Sequence, residues 1–230
     1  MRNYVTEFLG TFFLVLTIGL TVLGESPMAP LAIGASLMIM VYMGGHVSGG
    51  HYNPAVSLAV LLRGKMPSVG EFFAYVVTQC LGAVSAALVV FAVLGRTFAP
   101  APATTATVAS ALMVEFLYTF ALALVVLNSA VSAKTQGNSF YGLAIGFTVV
   151  VAAFAGGPIS GGAFNPAVGF GPIVVNAMLG GGTLGNLWIY IVGPLLGGAL
   201  AASVFGLQEH APTPIPTTPS PVPAGEAGVT

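Results

Sequence analysis

The sequence predicts an all-α membrane protein, with six transmembrane helices and two half-helices arranged as an inverted repeat. Three observations lead there. Of the 230 residues, 56% are hydrophobic and only 5% are charged, against about 25% charged in a soluble domain. The apolar residues fall into six long stretches that contain Gly and Pro, which suits helices better than the weak alternation of barrel strands. One segment also occurs twice. Gly45-His46-Val47-Ser48-Gly49-Gly50-His51-Tyr52-Asn53-Pro54-Ala55-Val56 returns 112 residues later as Gly157-Pro158-Ile159-Ser160-Gly161-Gly162-Ala163-Phe164-Asn165-Pro166-Ala167-Val168, with eight of twelve positions identical.

In chain order, the first span covers about Tyr4 to Leu23 and ends at the turn cluster Gly24-Glu25-Ser26-Pro27. The second, about Leu31 to Gly44, runs into the first glycine loop. Asn is a favoured N-cap, and Pro suits the first helical position. Asn53 and Pro54 therefore open a helix, whose apolar part, Val56 to Leu62, is too short to cross a bilayer. The third span covers about Glu71 to Leu94. A Pro/Ala/Thr-rich connector, Arg96 to Thr107, separates the halves. The fourth and fifth spans are placed at about Ala109 to Ser129 and Tyr141 to Ala155. The second loop and the half-helix Val168 to Val175 follow, and the sixth span covers about Leu184 to Leu207.

Residues 1–207 are thus read as one membrane domain, with repeats at about 4–94 and 109–207. The Pro- and Thr-rich tail 208–230 is expected to be a disordered cytoplasmic segment. Glu7-Phe8-Leu9 is echoed by Glu115-Phe116-Leu117, and Tyr75-Val76-Val77 by Tyr190-Ile191-Val192. Three spans plus a half-helix per repeat turn the second copy upside down. Arg2, Arg63, Lys65 and Lys134 fall on one side and Arg96 on the other, which puts both termini in the cytoplasm.

Paired Asn-Pro-Ala motifs in one glycine frame, at Asn53, Pro54, Ala55 and Asn165, Pro166, Ala167, are highly specific. On these residues the chain resembles the aquaporins, the major intrinsic protein channels, over roughly residues 4 to 207. The resemblance implies a passive pore for water and small neutral solutes and a homotetramer; the expected location is the plasma membrane. Small residues at Gly82-Ala83 and Gly197-Gly198 permit close helix approach, which serves either a tetramer contact or packing inside one protomer. It also implies a filter of four positions, typically Phe, His, a small residue and Arg in water-specific members. Here Ile33 lies 20 residues before Asn53, Ala153 and Gly162 lie 12 and 3 before Asn165, and Val168 lies 3 after it. Such a filter is wider, uncharged and without a side-chain donor. It points to glycerol, urea, ammonia or hydrogen peroxide as passengers beside water.

Glu7 and Glu115 lie inside apolar spans, where a carboxylate is expensive and usually functional or paired. The glycine loops leave backbone N–H groups at membrane depth that need acceptors. Both glutamates are therefore read as loop-supporting acceptors, as the resemblance also implies. His51 is assigned to the cytoplasmic half of the pore, and His46 to satisfying loop backbone. The lone Cys80 excludes an internal disulfide and a cysteine zinc site. No metal or cofactor is expected, no catalytic constellation can be assembled, and a net charge of −1 argues against nucleic acid. A water-selective channel sieving elsewhere, or a coupled secondary transporter using Glu7 or Glu115, are the competing readings.

Overall fold

The computed structural model describes residues 1–209. Its long helices are α1 (Arg2–Leu23), α2 (Ala29–Ser48), α4 (Val69–Leu94), α5 (Val108–Val126), α6 (Tyr141–Ser160) and α8 (Leu187–Glu209). All six are long and apolar enough to cross a membrane, α5 continuing to Val131 through a π-helical turn, Leu127–Val131. Between them lie two short helices, α3 (Pro54–Leu62) and α7 (Pro166–Leu179). At 1.5 Å per residue these reach about 14 and 21 Å, short of a hydrocarbon core of about 30 Å. Most of the tail expected to be disordered lies outside the described residues; Gln208 and Glu209 are the last two residues of α8.

Local chemistry sets the helix ends. Ser68 caps α4 by accepting from Glu71 N at 3.1 Å, and Thr107 caps α5 by accepting from Ser110 N at 3.0 Å. Asn53 and Asn165 cap α3 and α7, accepting from Ala55 N and Ala167 N at 2.8 and 2.9 Å. Pro54 and Pro166 follow as the first helical residues.

The second and fifth spans run further than expected. α2 continues to Ser48 and α6 to Ser160, so the first four residues of each repeated segment are helical. The helix stops at Gly49 (φ +91°) and Gly161 (φ +90°), where the left-handed conformation is adopted. Gly45 and Gly157 keep helical backbone. A glycine breaks a helix only where the chain must turn, and here that is the second glycine of each frame.

Packing repeats with the topology. α1 lies against α2 and α4, and α5 lies against α6 and α8; α3 packs on α8 and α7 on α4, so each short helix leans on the other repeat. The small residues at 82 and 197 act within one protomer. A Cβ on Gly82 would sit 2.6 Å from Phe8 O, and one on Gly197 would sit 2.5 Å from Phe116 O. Ala83 is fully buried. Gly82 and Gly197 seat α4 on α1 and α8 on α5 within one protomer, and Ala83 packs against Gly171 of α7. Large apolar side chains point outward instead, among them Phe13, Phe73, Val77, Phe147 and Leu196. That inside-out pattern suits lipid. The protein is an integral multi-pass membrane protein.

Gly161→Ala and Gly95→Ala separate two costs of a positive φ. Both positions are left-handed, but a Cβ at 161 would meet Ala101 N at 2.6 Å, while nothing lies within 4 Å of one at 95. Gly95→Ala is expected to lose about 1–2 kcal/mol from backbone strain alone, and Gly161→Ala clearly more. Thermal unfolding in detergent, followed through Trp188, measures the difference.

Candidate functional site

The site is built from two stretches of irregular backbone held at membrane depth. Each hangs from one fully buried carboxylate. Glu7 Oε1 accepts from Ser48 Oγ at 2.7 Å and from His51 N at 2.9 Å. Its Oε2 accepts from Tyr52 N at 2.7 Å and Gln79 Nε2 at 2.9 Å. Glu115 Oε1 accepts from Ser160 Oγ at 2.7 Å and Ala163 N at 2.9 Å, and its Oε2 accepts from Phe164 N. Both glutamates therefore hold loops. Tyrosines brace the same loops: Tyr75 donates to Ser48 O at 2.8 Å, and Tyr190 donates to Ser160 O. With no water in a bilayer to satisfy these groups, each bond removes a large penalty.

The two loops also hold each other. Asn53 Nδ2 donates to Phe164 O at 2.9 Å, and Asn165 Nδ2 donates to Tyr52 O at 2.8 Å. Tyr52 and Phe164 are bulky residues in the left-handed region, at φ +50° and +49°. Such a backbone is costly for an aromatic residue and persists only where its surroundings hold it. The surroundings are tight. A Cβ on Gly10 would lie 2.1 Å from the Tyr52 ring and one on Gly44 2.1 Å from its hydroxyl, which itself donates to Met40 O at 2.9 Å. Phe164 stacks edge-on against Tyr118 at 5.6 Å.

Asn53 and Asn165 line a cavity of about 410 Å³. All four expected filter residues, Ile33, Ala153, Gly162 and Val168, line it as well, in a wall that apart from His51 is otherwise Leu, Ile, Val and similar apolar residues. The connector at Phe98 to Ala101 forms part of its wall, and Ala103 N of the same connector donates to Ile159 O at 3.0 Å. A second cavity of about 920 Å³ opens on the side of Lys65, Lys134's neighbours Ala133 and Thr135, and Asn3. His51 and Val126 belong to the walls of both cavities and mark where they meet.

In each loop, three consecutive carbonyls accept no hydrogen bond among the described residues. These are Gly49, Gly50 and His51 in one, and Gly161, Gly162 and Ala163 in the other. An asparagine amide has two donors. One on each of Asn53 and Asn165 is used in the cross-loop bond, leaving one over. The lumen thus offers acceptors along two short backbone runs and donors at their ends, within apolar walls.

His46 does not support the loop. It stands exposed on the last turn of α2, lining the larger cavity, because α2 extends past it. The loop's donors go to Glu7 instead. Sequence reading missed Gln79, Ser57, Tyr52 and Phe164. Only the last two left a trace in the sequence, as an aromatic directly before each Asn-Pro-Ala.

Comparison with known proteins decides the family. A model described as Major intrinsic protein matches residues 1–205. The chain belongs to the major intrinsic protein family. It is a membrane channel and not an enzyme. Among its relatives is aquaporin NIP1-4 of Oryza sativa subsp. japonica, 36% identical over 90% of this chain and 77% of the relative. Another, the glycerol uptake facilitator protein-like 6 of Lactiplantibacillus plantarum, is 35% identical over 88% and 95%. Aquaporin TIP2-3 of Arabidopsis thaliana is 34% identical over 90% and 86%. In fold, the chain superposes on the aquaglyceroporin of Plasmodium falciparum with a TM-score of 0.79, covering 89% of this chain and 94% of that one at 21% identity.

Glu115→Gln is expected to destabilise the protein without closing it. A glutamine keeps one acceptor oxygen but turns an NH₂ toward one of three donors, leaving a buried N–H unpaired at a cost of about 1–3 kcal/mol. Glu7→Gln, facing four donors, should lose at least as much. Thermal melting should fall for both, while water flux per folded channel in liposomes is retained.

Proposed function

We propose that the lumen conducts water and small neutral solutes passively, glycerol, urea, ammonia and hydrogen peroxide among them. The observation that carries this is the uncharged filter. At Ile33, Ala153, Gly162 and Val168 no side chain donates a hydrogen bond or bears charge, and none is as bulky as Phe, His or Arg. A solute leaving water there loses its hydration, and the free loop carbonyls and the two asparagine amides replace part of it. The bacterial relative named as a glycerol facilitator is consistent with such a passenger.

Ions meet a different balance. The N-termini of α3 and α7 meet at the asparagines, each worth about half a positive charge. No carboxylate lines the 410 Å³ lumen among the described residues, since Glu7 and Glu115 are turned wholly into the loops and Glu71 borders only the larger cavity. Cations and protons therefore face an unfavourable field. The same engagement of both glutamates keeps the two intramembrane carboxylates that a coupled transporter would use out of the path.

The channel is oriented with both termini in the cytoplasm of a plasma membrane, so the larger cavity is the inner vestibule. Assembly as a homotetramer rests on family membership, with the outward apolar faces as its contact surface. Crosslinking in membranes, resolved to a four-subunit limit, tests it.

Stopped-flow light scattering on proteoliposomes tests the transport reading. Water, urea, glycerol and ammonia should all cross faster than in empty vesicles, with no dependence on a proton or sodium gradient. Val168→Arg combined with Ala153→His should cut glycerol and urea flux roughly tenfold or more. The basis is that hydrogen bonds left unpaired for a passing solute cost about 1–3 kcal/mol. Water flux should change much less. A wild type that passes water but rejects all three solutes would place the sieve outside these four residues.

A further inference from the structure

The two repeats agree at the loops but not behind them. In the first repeat a chain of polar side chains runs from the buried carboxylate back to the lumen. Gln79 Nε2 donates to Glu7 Oε2 at 2.9 Å and to Ser57 Oγ at 3.1 Å, and Ser57 Oγ lies 3.0 Å from His51 Nδ1. In the second repeat the matching positions are Pro194, Gly169 and Ala163, which carry no polar side-chain atom. Gln79 and Ser57 are both fully buried. Neither touches the lumen wall. The loop lock does not require them, because the second loop is locked without them.

The direction of this chain follows from its hydrogen count. Glu7 is acceptor-only toward four donors, so Gln79 must turn its NH₂ toward it. Gln79 Oε1 is left buried without a partner, as it would be if the carboxylate imposed the orientation. Both Gln79 protons are then committed, one to Glu7 and one to Ser57. Ser57 Oγ has a single proton to give, and among the described residues His51 Nδ1 is the one acceptor within reach. Nδ1 must therefore be the bare nitrogen. The ring is fixed from the other side as well. It packs against Tyr75 at 5.3 Å, and its Nε2 would lie 2.9 Å from a Cβ on Gly49.

We propose that Gln79 and Ser57 hold His51 in the tautomer that carries its proton on Nε2, making His51 a specificity-determining donor at the junction of the two cavities. Besides Asn53 and Asn165, His51 is the one residue with a side-chain donor on the 410 Å³ lumen's described wall. It stands on the inner side, where Ile33, Ala153, Gly162 and Val168 do not reach. Solutes rich in acceptor oxygens, polyols and ureas, exchange a lost water for this N–H as they pass from one cavity to the other. Gln79 and Ser57 are positioning residues that act through the ring. The proposal deepens the transport reading above and depends on it for its effect on solutes, but not for the tautomer.

The tautomer is read by solid-state NMR on ¹⁵N-histidine-labelled protein in liposomes. Replacing His46→Gln and His210→Gln leaves His51 as the only histidine. The expected result is one neutral form with Nε2 protonated and Nδ1 bare. Nδ1 protonated, or an even mixture, overturns the proposal without any further variant. Ser57→Ala should then yield mixed tautomers and lower the glycerol-to-water and urea-to-water permeability ratios about two- to tenfold, the factor carried by one hydrogen bond of ordinary net strength. Ser57→Thr, which keeps the hydroxyl, should restore both. Gln79→Met should behave as Ser57→Ala. An unchanged tautomer in Ser57→Ala, or a ratio that moves while the tautomer does not, refutes the relay. If His51 has the expected tautomer but the wild type passes no solute, the relay stands and the transport reading falls.

Discussion

Each asparagine of the repeated motif caps its own short helix with its oxygen and binds the opposite loop with its nitrogen. That reciprocal exchange, Asn53 to Phe164 and Asn165 to Tyr52, is the constraint on which the rest of the channel depends. It fixes two helix N-termini against each other at the middle of the fold. It also sets how far the donors of both amides stand apart from the free carbonyls. Neither asparagine could do both jobs if its partner loop carried ordinary backbone. The left-handed turns at Tyr52 and Phe164 rotate their carbonyls toward the neighbouring repeat. The strain of those turns is offset by deep aromatic packing against Gly10, Gly44 and Tyr118.

Around this centre the polar atoms follow one rule: in a medium without water, every donor must be met from within the protein. The carboxylates of Glu7 and Glu115 meet the loop N–H groups, and the hydroxyls of Tyr75 and Tyr190 meet the last helical carbonyls before each turn. Apart from the buried Arg63 Nε, Gln79 Oε1 and Thr119 Oγ1, the unmet loop carbonyls and amide donors belong to the two loops at the lumen, where a passing solute can meet them. The apolar residues have the complementary distribution. Small ones lie where helices touch and large ones lie where lipid touches. For this reason Gly82 and Gly197, which look like intersubunit contacts, turn out to seat helices within a single protomer.

Much of this was readable from the residues alone. The doubled Asn-Pro-Ala frame located both helix starts. The isolated glutamates in apolar spans announced a demand for acceptors that only loops could create. The count of spans gave the inversion. Other features were not readable, for identifiable reasons. Three glycines in each frame look equally able to end a helix, and only the fold shows that Gly49 and Gly161 are the ones where the chain must turn. His46 was misplaced for that reason. Gln79 sits in an apolar helix with no local signal, since its partners lie 22 and 72 residues away. Tyr52 and Phe164 read as ordinary apolar residues because a left-handed φ leaves no mark on residue type.

The reciprocal bond also has a consequence for how the protein comes into being. Asn53 and its acceptor Phe164 are separated by 111 positions. When the first re-entrant loop emerges during synthesis, the backbone that will hold it has not been made. Glu7 is already present and can gather that loop's N–H groups, but the tip stays open until α5, α6 and the second loop have entered the bilayer. The first half must therefore be kept hydrated or shielded by the insertion machinery through the making of half the chain. The second half meets its partner on arrival and can close at once.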